Sequence, residues 1–333
     1  MNLQGKSVVV TGGAGFIGST LVRSLLKDGA RVTVYDNFFS GDMSNLQEVR
    51  KDIRIVTGDI LNKNFVHVLK GNDAEFVFHL AAEPYIPHCY DRPEKFFEVN
   101  ANGTMNVLLA CRDAGVKRVV SYSSSEVYGT AKTVPMDENH PTLPLSTYAV
   151  SKLAADRLCF TMHHEQDVPV VILRPFNTYG PRETHPYIIP ELITQLSNGN
   201  NLRLGNVKAS RDLTFVDDSV QAAISLIKEE KAVGEVFNAG SGKDWSVEQL
   251  AHMIAEMSGH DSIEIDVDKS RLRPLDVQKL NADSTKLKKL TGWEPKVDIK
   301  AGLQKTVDWY RKNGSKWVWE RKLGSEENIW KYK

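Results

Sequence analysis

Cysteine is scarce in this chain, with only Cys89, Cys111 and Cys159 among 333 residues. An odd number of widely spaced thiols with no CxxC pair excludes a disulfide framework and a cysteine-based metal site. They read as reduced, mostly buried thiols, and no metal is expected. Long apolar runs are missing too: none approaches the ~18 residues of a membrane span. Met1 leads almost directly into Lys6-Ser7-Val8-Val9-Val10, a strand pattern rather than a secretory leader, so a cytoplasmic protein is expected. Charge of one sign is also lacking, since 42 Lys and Arg balance 42 Asp and Glu. The broad basic field used for nucleic acid or anionic membranes is therefore absent, and a small-molecule partner is favoured. No internal repeat or low-complexity tract interrupts the chain.

What is present is an ordinary globular composition, 41% hydrophobic and 25% charged. Single cores stop growing at roughly 250–300 residues, so two lobes are the default at this length. Ser7 to Val10, Arg31 to Tyr35, Ile53 to Val56, Phe76 to His79, Arg118 to Tyr122 and Val170 to Leu173 are nearly continuous Val, Ile and Phe, the mark of strands buried on both faces. Helical segments lie between them, Phe16 to Lys27, Glu94 to Ala114 and Ser146 to Glu165. This βαβα order predicts a Rossmann-type, doubly wound parallel sheet with a smaller, irregular α/β lobe. The lobe begins near Arg174, where Pro and Gly punctuate the chain, and carries helices near Val247 to Met257 and Ala301 to Arg311. The expected division is 1–173 plus 212–240 for the dinucleotide-binding domain, 174–211 plus 241–315 for the substrate lobe, and a 316–333 tail carrying Trp317, Trp319 and Trp330.

Directly after the first strand comes Thr11-Gly12-Gly13-Ala14-Gly15-Phe16-Ile17-Gly18-Ser19, opening a helix. Such glycines let the backbone turn tightly and approach a pyrophosphate at the positive helix N-terminus. The second strand ends in Val34-Tyr35-Asp36. An acid there accepts hydrogen bonds from the adenosine ribose hydroxyls and repels a 2′-phosphate, which selects NAD over NADP. Asp59, after the third strand, reads either as a contact to the adenine amino group or as a plain loop residue.

Tyr148-Ala149-Val150-Ser151-Lys152 places a phenol and an ammonium four residues apart on one helix face. At about 4 Å and an effective dielectric near 20, that pairing is worth roughly 4 kcal/mol. At about 1.4 kcal/mol per pH unit it would draw the phenol from about 10 toward 7, making it a base at neutral pH. At the end of the fifth strand lies Ser121-Tyr122-Ser123-Ser124-Ser125-Glu126-Val127-Tyr128-Gly129, on the carboxyl edge where such sheets bind ligands.

Taken in order, the glycine loop, Asp36, Leu80-Ala81-Ala82, Asn100, the serine run with Val127-Tyr128-Gly129, and Tyr148 with Lys152 resemble the extended short-chain dehydrogenase/reductases, specifically the NAD-dependent nucleotide-sugar epimerases and dehydratases. The resemblance runs from about residue 6 to 312. It implies that Tyr148 takes the sugar O4 proton, Lys152 lowers its pKa and holds the nicotinamide ribose, and Ser124 hydrogen-bonds O4. The cofactor contacts it implies are Gly12, Gly15, Phe16, Ile17, Gly18, Asp36, Asn37, Ser40, Asp59, Ile60, Leu80, Ala81, Ala82, Asn100, Ser123, Tyr148, Lys152 and Pro175. Substrate contacts fall at Glu83, Ser124, Ser125, Glu126, Asn177, Ile189, Leu204, Arg211 and Arg273. Of these, Asn177, Arg211 and Arg273 face the diphosphate, a task suited to the planar arginine fork.

Glu126 bears on which reaction follows oxidation. It resembles the (Ser/Thr)-x-Glu arrangement of 4,6-dehydratases and nucleotide-sugar decarboxylases, where a carboxylate can take the C5 proton made acidic by a 4-ketone. A 4,6-dehydratase is therefore the leading expectation, although many dehydratases have Asp where this chain has Ser125. A 4-epimerase is the alternative; a uronate decarboxylase and a non-catalytic NAD sensor come after it. Glu83 to His88 is expected to flank the sugar. The Glu94–Ala114 helix is apolar on more than one side, through Val99, Val107 and Ala110 and through Phe97, Met105, Leu108 and Leu109. With Val150, Leu153 and Leu158 of the Tyr148 helix it predicts a homodimer joined by a helix bundle.

Overall fold

A computed structural model describes residues 1–315. The tail with Trp317, Trp319 and Trp330 lies outside the described residues. In chain order the nucleotide-binding half runs β1 (Ser7–Thr11), α1 (Phe16–Lys27), β2 (Arg31–Asp36), β3 (Ile53–Thr57), α2 (Phe65–Lys70), β4 (Phe76–His79), α3 (Pro93–Phe97), α4 (Thr104–Ala114), β5 (Arg118–Tyr122), α5 (Thr147–Gln166) and β6 (Val170–Pro175). There follow β7 (Asn177–Tyr179), α6 (Ile188–Leu196), β8 (Asn201–Leu204), β9 (Ser210–Phe215), α7 (Val216–Lys228), β10 (Val236–Ala239), β11 (Asp244–Ser246), α8 (Val247–Ser258), β12 (Glu264–Val267), β13 (Lys279–Leu280), α9 (Thr285–Thr291) and α10 (Ile299–Asn313).

Seven strands form one sheet in the order β10-β6-β5-β4-β1-β2-β3, and every pairing in it is parallel. The alternation of strand side chains explains why this sheet is buried twice over. Val8, Val10, Phe76 and Phe78 point to the face covered by α1 and α7, where Leu21, Leu25, Val220 and Ile224 meet them. Val9, Val77, Val119 and Val170 point the other way, toward Phe65 of α2, Val107 and Cys111 of α4, and Cys159 of α5. Each such side chain contributes roughly 1.5–3 kcal/mol of transfer free energy. All three cysteines are buried, two of them inside this second layer.

The smaller lobe holds β9 between antiparallel β11 and parallel β13, with β7 also paired to β9. A parallel β8–β12 pair stands beside it. Leu192, Leu196, Leu250, Ile254, Leu303 and Val307 of α6, α8 and α10 close its core. The chain returns to the large sheet through α7 and β10.

The single helix expected over Glu94 to Ala114 is broken. A π-helical turn, Glu98–Gly103, separates α3 from α4. Gly103 marks the close approach that requires it: an added Cβ would stand 2.6 Å from the Ile60 side chain. The wide turn also carries Asn100, whose side chain leaves the helix for the loop after β4.

Candidate active site

The carboxyl ends of β1, β2, β4, β5 and β6 converge on one cleft of about 550 Å³. At its first end the chain turns from β1 into α1 through glycines that admit no side chain. Gly12 lies at φ 70°, and a Cβ there would come within 2.7 Å of the Ala81 nitrogen; one on Gly18 would come within 2.1 Å of the Gly12 carbonyl oxygen. The amino end of α1, with its partial positive charge, is thereby held against the cleft wall formed by Gly15, Phe16, Ile17 and Gly18. Asp36 fixes this turn: one carboxylate oxygen accepts the Ala14 N–H at 2.9 Å and the other the Phe38 N–H at 2.8 Å. The Asn37 amide donates to Asp59 at 2.9 Å, and the Tyr35 hydroxyl donates to the Asp59 carbonyl at 2.9 Å.

At the end of β4, buried His79 spans Thr11 at 2.8 Å and Thr104 at 2.9 Å, and burial pushes its pKa down to about 3. The Thr11 hydroxyl in turn accepts from the Leu80 and Ala81 amides. Asn100 clamps Glu83 through both backbone groups, accepting its N–H at 2.8 Å and donating to its carbonyl at 3.1 Å. It also donates to the Ser151 hydroxyl at 2.9 Å, and that hydroxyl donates to the Tyr148 carbonyl at 2.7 Å. Asn100 thus ties the loop after β4 to the helix that carries Tyr148. It does not line the cleft, unlike the other residues that the sequence marks as cofactor or substrate contacts.

Tyr148 opens α5, whose N-terminus is capped by Ser146 accepting from the Ala149 N–H at 3.1 Å. The ring is buried edge-to-face against Phe96 with centroids 6.2 Å apart. The direct pairing of its phenol with Lys152 is not what the fold provides. Lys152 donates instead to the backbone carbonyl of Tyr122 at the end of β5. Burial pushes the Tyr148 phenol up to about 12, opposed by a hydrogen bond with Ser124 and reinforced by the Glu126 carboxylate. Burial lowers Lys152 to about 8. The expectation of a phenol drawn toward 7 by its neighbour is therefore corrected. One helical turn does bring the two residues to the same face, but desolvation outweighs the ammonium, whose hydrogen bond goes to a backbone oxygen.

Ser124 caps the short turn after β5 by accepting the Glu126 N–H at 3.2 Å, which fixes Ser125 and Glu126 at the cleft wall. Ser123 donates to Asp156 at 2.7 Å. Asp156 is held by both arms of Arg174, each at 2.8 Å. Arg174 also donates to the Tyr128 hydroxyl at 2.9 Å, and that hydroxyl donates to Asn238 at 2.7 Å. This buried polar network ties together α5, β6, β10 and the serine turn. At the far end of the cleft, Arg211 stands between Glu126 at 3.9 Å and Asp276 at 3.5 Å, with Arg273 3.7 Å from the same Asp276.

Comparison with known proteins gives this geometry its context. The family model described as GDP-mannose 4,6 dehydratase matches residues 9–306. A UDP-N-acetyl-alpha-D-glucosaminuronate decarboxylase of Bacillus cytotoxicus is 36% identical over 92% of this chain and 98% of its own. The chain belongs to the NAD-dependent nucleotide-sugar epimerase/dehydratase family. Among solved structures of this family, a dTDP-glucose 4,6-dehydratase from Streptomyces venezuelae with NAD bound superposes with TM-score 0.86 at 32% identity, over 92% of this chain and 97% of that one. A UDP-glucose 4-epimerase from Thermotoga maritima with UDP-glucose gives TM-score 0.85 at 30% identity, over 92% and 99%. The expected α/β architecture, a doubly wound parallel sheet with a smaller lobe, is that of the family; the sheet has seven strands.

For a family member, the cleft also shows residues that spacing did not reveal. Tyr85 stacks on His185 at 5.0 Å, meets Tyr187 edge-on at 5.5 Å and donates to the Pro186 carbonyl at 3.4 Å. This gives Glu83 to His88 the physical account its sequence lacks: the segment is one wall of an aromatic corner whose other wall is the loop before α6. Two buried acids sit by it. Desolvation raises Glu83 to about 7 and Glu183 to about 8, and Glu183 accepts the Gly180 N–H at 3.2 Å. Arg271, 2.8 Å from Glu191, adds a third arginine to the end where Arg211 and Arg273 lie. Apart from Glu83 and its segment, which the resemblance already marks, these residues come from separate loops with no spacing in common, so no sequence pattern announces them. No helix among the described residues is long and apolar enough to cross a membrane.

Proposed function

We propose that this chain is an NDP-hexose 4,6-dehydratase that uses NAD, with Tyr148 as the O4 base and Glu126 as the C5 base. The carrying observation is the position of Glu126, whose carboxylate acts electrostatically on Tyr148 from across the serine turn and lines the same cleft. The residues fit the cofactor: Gly12 and Gly18 leave no room for a Cβ at the turn that faces the cleft, and Asp36 lines the cleft at the end of β2, where it would accept from the ribose hydroxyls. Bound NAD would take the C4 hydride, return it at C6, and bring a positive nicotinamide that lowers the Tyr148 pKa.

The chain's own residues would do the remainder. Ser124 would orient the sugar O4 toward the Tyr148 oxygen, which takes its proton. Lys152, anchored on the Tyr122 carbonyl, would offer its other donors to the nicotinamide ribose. Once C4 is a ketone, Glu126 would take the C5 proton while the C6 hydroxyl leaves as water with the proton that Tyr148 took from O4, and Glu126 would give its proton back to C5 as C6 is reduced. Arg211, Arg273 and Asn177 would hold the diphosphate.

Purified protein mixed with UDP- and dTDP-hexoses should yield a 4-keto-6-deoxy product, followed by its absorbance in base. Glu126→Gln is expected to lower that yield by about 100-fold, the usual contribution of a positioned base. Ser125, in place of the acid many dehydratases carry, favours a second reading as a 4-epimerase. A product inverted only at C4, formed equally well by Glu126→Gln, would establish that reading and end the first. Release of carbon dioxide from a nucleotide-linked uronate would instead make it a decarboxylase.

We also propose a homodimer through α4 and α5. Met105 of α4, Val150 of α5 and, just before α4, Phe97 at the end of α3 remain exposed at 36%, 43% and 45%, whereas Leu108 is consumed by the core. Sedimentation equilibrium should give about twice the 37.3 kDa chain mass, and Val150→Glu should shift it toward one; a monomeric unmodified chain would refute the proposal.

A further inference from the structure

Arg211 is paired in charge but hardly in hydrogen bonds. Its guanidinium lies 3.9 Å from Glu126 and 3.5 Å from Asp276, both beyond ordinary hydrogen-bond length. Among the described residues its one hydrogen bond goes to the Ser210 carbonyl at 3.1 Å. The side chain is only 13% exposed and lines the cleft, with five donors beside two acids, of which Asp276 also accepts from the Asn206 amide at 2.9 Å. A partly buried guanidinium in that condition has donors to give to an incoming anion.

We propose that Arg211 is shared, so that a nucleoside diphosphate seated on the guanidinium draws it from Glu126 and leaves that carboxylate free to turn to the sugar. The inference rests on the nucleotide-sugar reading above and deepens it, because it makes Arg211 a positioning residue for Glu126 as well as a phosphate contact. Asp276, which stands 3.5 Å from Arg211 and 3.7 Å from Arg273, keeps the guanidinium near the cleft wall while it changes partner.

The test measures binding rather than turnover. UDP, dTDP and GDP are titrated calorimetrically into the holoenzyme as the unmodified chain, Glu126→Gln, Arg211→Ala and the double variant, with melting temperatures confirming that each is folded. Removing the Glu126 charge frees Arg211, so Glu126→Gln should bind the preferred nucleoside diphosphate about fivefold more tightly, the scale of a partly exposed ion pair. In the Arg211→Ala background the same change should gain nothing. Should Arg211→Ala fail to fold, Arg211→Lys replaces it, and the gain should shrink. An unchanged or weaker affinity for Glu126→Gln overturns the proposal. So does a gain that persists undiminished without Arg211, which would mean simple relief of repulsion. Failure of all three diphosphates to bind the unmodified chain overturns the nucleotide-sugar reading, and the shared arginine with it.

Discussion

Tyr148→Phe is expected to lower kcat by about 10³-fold, the contribution of a positioned general base, while leaving nucleotide binding nearly intact. The substitution removes one oxygen and keeps the ring against Phe96. Its structural cost is the hydrogen bond with Ser124, worth about 1 kcal/mol, so the melting temperature should move little. Steady-state kinetics and calorimetry on the same preparation separate the two effects. A loss below about tenfold would place the base elsewhere, and undiminished cellular function would revive the NAD-sensor reading. The same chemistry fixes a pH dependence. Because burial raises the phenol and a bound nicotinamide would lower it, kcat/KM of the unmodified chain should rise with pH until the phenol is ionised. The Tyr148→Phe variant should lose that slope along with the rate.

The largest stability effect is expected at Asp156. Its side chain is fully buried, and the paired Arg174 is 4% exposed. Asp156→Ala strands that guanidinium and unpairs the Ser123 hydroxyl, and breaking a buried pair from one side costs about 3–5 kcal/mol. Chemical denaturation should show a midpoint lowered accordingly with an unchanged slope. Asp156→Asn keeps an acceptor and should cost less. A shift under about 1 kcal/mol would mean that water or Tyr128 replaces the carboxylate, and that the network is dispensable.

The two substitutions differ in how readable their positions were. Tyr148 and Lys152 announce themselves, because four residues is one helical turn and a shared face follows from geometry alone. What the phenol experiences there does not follow. The hydrogen bond from Lys152 to the Tyr122 carbonyl depends on where β5 ends relative to α5, and burial of the ring depends on α3. Asp156 and Arg174 look like an ordinary helix acid and a residue beside a proline. Only the packing of α5 on β6 turns them into a buried pair. Asn100 was legible as a site residue, but its hydrogen bonds to Glu83 and Ser151, made from the π-helical turn, were not.

The sequence by itself determined the parallel sheet and its glycine cradle, because continuous apolar strands, helix stops and side-chain-free turns are local properties with fixed periods. It also determined that a phenol and an ammonium share one helix face and that a serine run lies at a strand's carboxyl edge. The tertiary structure alone decided the burial of that phenol, the aromatic corner of Tyr85, His185 and Tyr187, and the position of Arg211 between two acids. These are set by desolvation and by distances between residues far apart in the chain, and neither quantity has a period that a sequence can display.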